Sequence, residues 1–211
     1  MNTYNRKKFA TIFGSSAPIE GSDEYQNAYD VGFTLAEAGF TLKTGGYYGT
    51  MEAASRGALE AGEKAIGIPF AGFDPKQPNA YSIPQKVNTL FDRMRDLIHD
   101  SELIIVLPGG LGTLSELSTV WMMMQTELLK PEPSICCIGK EWEILTRDML
   151  KTLKIDQKDL ELLYFFGTNK DFFKFMHERN EGELWSFRSI GSGEGSYCDS
   201  TCYGWTVSAS T

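Results

Sequence analysis

Two hydrophobic rhythms alternate along most of this chain. Short apolar runs of strand length occur at Phe9-Ala10-Thr11-Ile12-Phe13, Phe40-Thr41-Leu42, Lys64 to Ile68, Leu103 to Leu107, Ser134 to Ile138 and Leu162 to Phe166. Between them, apolar positions recur at helical spacing. These stretches are Asp23 to Ala38 with Gly39 as the stop, Met51 to Ala61 closed by Gly62, Leu90 to His99, Thr113 to Leu129, Trp142 to Leu153, and Asp171 to Glu178. Pro69 to Pro84 holds four of the eight prolines and reads as a loop, with a brief strand expected near Val87 to Thr89. Strands alternating with helices imply βαβ units. The expected fold is therefore α/β: a Rossmann-like, doubly wound, mainly parallel sheet with helices on both faces. Such sheets bind ligands beyond the carboxyl ends of their strands. After about Ser186 the rhythm fades into Gly, Ser and Thr. One nucleotide-binding domain over 1–186 and a tail over 187–211 are expected, with no function placed in the tail.

Composition narrows the function. With 20 basic and 28 acidic residues the net charge is −8. That argues against nucleic-acid partners and anionic membranes, which require a basic face. A small basic pocket for one phosphate is still compatible with it. Met1 to Lys8 is polar, unlike a signal peptide, and no run approaches the ~20 apolar residues of a membrane helix. The cytoplasm is the expected location. Cys136 and Cys137 sit in an apolar strand and read as small buried hydrophobes. Cys198 and Cys202 could pair or bind metal, but no His stands near them. His99 and His177 form no triad or ligand pair, and His99 reads as a helix-end residue.

The chemistry concentrates where Leu103-Ile104-Ile105-Val106 runs into Pro108-Gly109-Gly110-Leu111-Gly112-Thr113-Leu114-Ser115-Glu116. A buried strand ends, the chain turns sharply, and a helix starts near Gly112-Thr113. Glycines allow close backbone approach, and a helix N-terminus offers free N–H groups and a positive dipole end. Thr113 can add a hydroxyl. Glu116, expected in the first turn, is an odd neighbour for an anion unless it does chemistry. Its plainer reading is an acid complementing the helix dipole. Arg93, fifteen residues ahead of Pro108, reads by itself as part of a solvated helix face beside Asp92 and Asp96. Two further Gly-rich turns, Gly14-Ser15-Ser16 and Thr44-Gly45-Gly46-Tyr47-Tyr48-Gly49, also follow strands and should converge on the same crevice. No G-x-G-x-x-G opens the first helix and no Walker lysine follows the turn, which disfavours a generic dinucleotide-binding oxidoreductase.

P-G-G-x-G-T-x-x-E resembles the signature of the Lonely Guy family of phosphoribohydrolases, often mislabelled lysine decarboxylases. The likeness covers roughly residues 8 to 180. Arg93 stands at the spacing of the family's Arg, with Met94 in place of the following Lys. Phe13-Gly14-Ser15-Ser16 matches an early F-x-G-S-S element, and Thr44 to Met51 matches G-G-G-x-x-G-x-M with Thr44 replacing the first Gly. The surrounding Leu90-Phe91-Asp92 departs from the family's Met-His-x. A Met-His-Glu-Arg string at Met176 to Arg179 lies after the signature and reads as coincidence.

The resemblance implies cleavage of the N-glycosidic bond of a nucleoside 5′-monophosphate, with an N6-modified adenine nucleotide as one candidate substrate. The products are free base and ribose 5-phosphate, the step that activates cytokinins. By the same resemblance Arg93 and Glu116 are the catalytic pair. Gly109, Gly110, Gly112 and Thr113 hold the phosphate, while Gly14, Ser15, Thr44, Gly45, Gly46, Gly49 and Met51 flank ribose and phosphate. This chemistry requires neither metal nor cofactor. A carboxylate would stabilise positive charge developing on the ribose, which accounts for Glu116 beside an anion site. The family also implies a homodimer, to which Val120-Trp121-Met122-Met123-Met124 is suited. The alternative is a non-catalytic nucleotide sensor or molybdenum-cofactor carrier of the same fold.

Overall fold

A computed structural model describes residues 7–70, 72 and 77–180 of the chain. The expected tail over 187–211, with Cys198 and Cys202, lies outside the described residues. The strands are β1 Lys8–Phe13, β2 Phe40–Thr44, β3 Ala65–Gly67, β4 Ile83–Pro84, β5 Ser101–Val106, β6 Ser134–Ile138 and β7 Leu163–Phe166. The helices are α1 Asp23–Glu37, α2 Thr50–Glu60, α3 Leu90–Ile98, α4 Leu111–Gln125, α5 Lys140–Thr152, α6 Gln157–Leu160 and α7 Asn169–Asn180.

All strand pairs are parallel, in the order β4-β3-β2-β1-β5-β6-β7. The chain builds outward from β1 in one direction, crosses over through α3, and builds outward from β5 in the other. The order thus reverses beside β1, and the crevice at that reversal lies above the carboxyl ends of β1 and β5. Residues of β5 explain why it is central. Leu103 and Ile105 pack on one face with Tyr25, Val31, Leu35 and Phe172 from α1 and α7. Ile104 and Val106 pack on the other with Leu97, Leu117, Val120 and Trp142 from α3, α4 and α5. An unbroken apolar run is what a strand covered on both faces requires.

Three elements differ from the expectation. The brief strand falls at Ile83–Pro84, and Val87 makes only an isolated bridge to Phe70. Pro84 is admissible because β4 is the sheet edge. Helix α4 stops at Gln125, not Leu129. Glu127 adopts a left-handed φ of 55°, and the N–H groups of Leu128 and Glu127 bond back to the carbonyls of Met123 and Met124. This is the closing pattern of a Schellman cap. One-turn α6 was not anticipated, because Asp156 to Asp159 is polar and too short to show periodicity; the Asp159 carboxylate accepts the Asp156 N–H at 3.2 Å. Among the described residues no helix is long and apolar enough to cross a membrane.

Candidate functional site

The three Gly-rich turns meet at one point. The Leu107 N–H donates to the Phe13 carbonyl at 2.9 Å, and both the N–H and hydroxyl of Thr50 donate to the Ser15 carbonyl, at 2.9 and 3.0 Å. Gly14 lies between these contacts. A Cβ there would collide with the Thr50 hydroxyl and come within 3.3 Å of Leu107 Cβ. Gly49, with φ 70°, passes close over Ser15 and Ser16, and the Ser15 hydroxyl accepts the Ala17 N–H at 3.1 Å.

The β5–α4 turn has a closed side and an open side. Gly109 is closed: an added Cβ would collide with the Thr113 hydroxyl and stand 2.6 Å from Thr113 Cβ. Thr113 is buried and folded back beneath the turn. Gly110 and Gly112 are open, with nothing within 4 Å of an added Cβ. Gly110 caps α4 without a side-chain bond. The first N–H groups of α4 therefore lack an internal partner and present a positive dipole end at the open side. Trp142 Nε1 donates to the Leu107 carbonyl at 3.2 Å, which fixes the strand end from below.

The helix starts at Leu111, so Glu116 stands in its second turn, and the first turn of α4 contains no acidic residue. This corrects the first-turn placement and removes the helix-dipole reading of Glu116. Its carboxylate instead faces Arg93. One terminal nitrogen of Arg93 donates to Glu116 Oε1 at 3.0 Å, and Arg93 Nε donates to the Ile68 carbonyl at 3.0 Å. The solvated-face reading of Arg93 fails too, since the residue is only 6% exposed. Thr89 explains its direction. The Thr89 hydroxyl accepts the Asp92 N–H and starts α3 there, so Arg93 leaves the first turn pointing inward. Gly45 makes room for it, because a Cβ at Gly45 would collide with the guanidinium and lie 2.6 Å from Met51 Sδ.

The Glu116 side chain is 14% exposed. Burial pushes its carboxyl above the usual carboxylate range, while the Arg93 charge and hydrogen bond pull it back. The result is a carboxylate in a low-dielectric setting, held in one orientation by the Arg93 guanidinium.

Thr44 turns away from the crevice. Its hydroxyl is fully buried, accepts the Gly46 N–H at 3.2 Å and lies 3.4 Å from Ser55 Oγ. It braces the turn around Gly46 (φ 79°). Met94 packs against the core, on the α3/α4 face of the sheet. Asp92 bonds Thr89 and Arg95, while Phe91 stands 88% exposed. His99 caps the end of α3. Met176 of the late Met-His-Glu-Arg string is buried in the core of the other face.

Sequence reasoning did not pick out Asn79. It is buried, donates its side-chain amide to the Tyr47 carbonyl at 2.8 Å, and gives its N–H to the Gly46 carbonyl at 2.9 Å. The Tyr47 hydroxyl donates to the Phe70 carbonyl and accepts the Phe70 N–H, both at 2.9 Å. Together they tie Phe70 and Asn79 to the second Gly-rich turn. An Asn within a loop gives no local signal of such a role.

The sequence profile of the SLOG cluster4 family matches residues 7–140, which include all three turns, Arg93 and Glu116. A rice protein (Oryza sativa subsp. japonica) described as a probable cytokinin riboside 5′-monophosphate phosphoribohydrolase is 29% identical over 121 residues, 56% of this chain and 49% of that protein. A Mycobacterium tuberculosis protein described as a cytokinin riboside 5′-monophosphate phosphoribohydrolase is 31% identical over 101 residues, 44% of this chain and 52% of that one. The chain thus spans about half the length of these curated relatives. The solved molybdenum cofactor binding protein from Rippkaea orientalis superposes with a TM-score of 0.64 at 21% identity, covering 83% of this chain and 98% of that one. At that identity the likeness concerns the fold.

Proposed function

The chain belongs to the SLOG cluster4 family, and from that membership we propose that it hydrolyses the N-glycosidic bond of a nucleoside 5′-monophosphate. The reading rests on one observation: the buried Arg93–Glu116 pair, 3.0 Å apart, one turn along from the open N-terminus of α4. The 5′-phosphate sits on the free N–H groups around Gly110 to Thr113, where its binding energy positions the ribose. Glu116 faces the ribose C1′. As the C1′–N bond breaks, its electron pair moves to the base and positive charge builds on the sugar, which the carboxylate stabilises. Water adds to C1′, and the proton it loses ends on the base. Arg93 keeps Glu116 ionised and oriented. Ser15, Gly45 and Met51 border the ribose side. The names of the rice and mycobacterial relatives support an N6-substituted adenine nucleotide as substrate.

The protein acts as a homodimer in this reading. Val120 and Trp121 are buried within one copy, so the partner would meet the outward apolar residues Leu111, at 82% exposure, and Met122. Light scattering on the purified chain gives the mass directly.

The activity is tested by incubating the protein with AMP and with N6-isopentenyladenosine monophosphate and separating the products by chromatography. Free base supports the proposal. Tight binding of a nucleotide or pterin without base release would instead identify a sensor or carrier.

A further inference from the structure

The Arg93 guanidinium rests in a seat made of backbone. Its Nε donates to the Ile68 carbonyl at 3.0 Å, and it packs directly on Gly45, where an added Cβ would collide with it. Both walls follow directly on strand ends, Gly45 after β2 and Ile68 after β3. Arg93 can therefore hold Glu116 in one orientation only if the turn through Gly45 stays in place. A glycine turn is intrinsically soft, because residues without a Cβ have many backbone states open to them. This one needs an external restraint.

Asn79 supplies it. Its N–H donates to the Gly46 carbonyl at 2.9 Å, and its side-chain amide donates to the Tyr47 carbonyl at 2.8 Å. Its side-chain oxygen accepts the Tyr81 N–H at 3.0 Å. The residue is 5% exposed, so water offers these groups little in exchange. The Thr44 hydroxyl takes the Gly46 N–H at 3.2 Å, which leaves both polar groups of Gly46 bonded. The position calls for an amide: a donor for Tyr47 and an acceptor for Tyr81 on one short side chain. Aspartate lacks the donor and alanine lacks both.

We propose that Asn79 is a positioning residue: by holding the Gly46 and Tyr47 carbonyls it keeps Gly45 against the Arg93 guanidinium, and so keeps Arg93 on Glu116. Its effect on rate rests on the hydrolytic reading above; its effect on Arg93 does not.

The test uses the full-length protein and two substitutions, Asn79→Asp, which keeps the volume and the acceptor, and Asn79→Ala. The first readout is the Arg93 Nε–H resonance in the ligand-free protein, identified by its loss in Arg93→Gln. Both Asn79 variants should shift it to the position of solvent-exposed arginines. Val31→Ala, a core truncation on the opposite face of the sheet, should leave it in place. The second readout is kinetic. With AMP or N6-isopentenyladenosine monophosphate, Asn79→Asp should lower kcat about 10- to 100-fold and leave KM within about threefold, because the phosphate turn is untouched. Added to Arg93→Gln, the same substitution should lower kcat less than about threefold further, since its route to Glu116 is already cut. An unmoved Arg93 resonance in both Asn79 variants, or losses of kcat that multiply in full with Arg93→Gln, overturns the inference. Loss of dispersion across the whole amide spectrum in both variants makes Asn79 a determinant of folding and overturns it as well. If the parent releases no base, the hydrolytic reading falls, and the Arg93 resonance alone decides the positioning role.

Discussion

Over β2 and β3 the crevice is filled with groups that are already bonded to one another. The Arg93 guanidinium is held by Ile68 and Glu116 and seated against Gly45, and Asn79 is bonded to Tyr47 in the neighbouring turn. Over β6 and β7 the same crevice is open and lined by exposed polar side chains. Both halves sit on the same parallel sheet, and they differ in what surrounds the charge. In the filled half a carboxylate is desolvated and oriented before any ligand arrives, the condition under which electrostatic stabilisation of a transition state is strong. In the open half water screens the carboxylates, so they can recognise a ligand but have little leverage on a reaction.

The largest difference between the two halves is expected from Glu116→Gln. It keeps the shape and an acceptor for Arg93 but removes the charge. Nucleotide hydrolysis should fall about 10²- to 10⁴-fold, with an unchanged circular dichroism spectrum. The equivalent change in the open half, Glu141→Gln, should leave the rate of AMP hydrolysis unaltered.

Next in size is Arg93→Met. Removing one partner of a buried pair leaves an uncompensated charge and costs about 3–5 kcal/mol, measurable by urea unfolding. Surface pairs such as Arg147–Glu143, with both partners well exposed, should cost under about 1 kcal/mol when broken.

Gly45→Ala and Gly167→Ala test the packing difference. The first forces a Cβ into the guanidinium, and a displacement of that kind is worth up to about 100-fold in rate. The second meets only ordinary contacts, so rate and stability should stay within about 0.5 kcal/mol of the parent.

The smallest effect is in the pH profile. Burial raises the Glu116 carboxyl and Arg93 opposes the rise. Because the reaction needs the carboxylate, activity should be lost on acidification at a pH above that of an ordinary glutamate. Arg93→Gln removes the opposing charge and should move the acid limb of kcat further upward.

Much of the fold was legible because the signals were local. Leu103 to Val106 is a buried strand by composition alone, and Pro108-Gly109-Gly110 can only be a sharp turn. Convergence of the three turns follows from parallel strands, which bring all carboxyl ends to one edge. The Arg93–Glu116 contact was legible only through resemblance, because nothing near Arg93 in sequence distinguishes an inward arginine from a solvated one. Its direction depends on the Thr89 cap and on space at Gly45. Thr44 was expected at the ligand, yet its hydroxyl serves Gly46 and Ser55, a partner eleven residues away that no local pattern signals. Likewise, the open cleft is assembled from α1, β5, β6 and α7, and no single stretch of sequence announces it.

In the proposed reaction Glu116, held by Arg93, supports cleavage of the N-glycosidic bond. Its most direct test is product stoichiometry: the purified protein and its Glu116→Gln variant, at equal concentration, are each given AMP and N6-isopentenyladenosine monophosphate, and free base and ribose 5-phosphate are quantified together. Equimolar base and ribose 5-phosphate are expected from at least one nucleotide with the parent protein, and almost none with the variant. Base release that is undiminished in the variant, or absent from both, would contradict this role of Glu116.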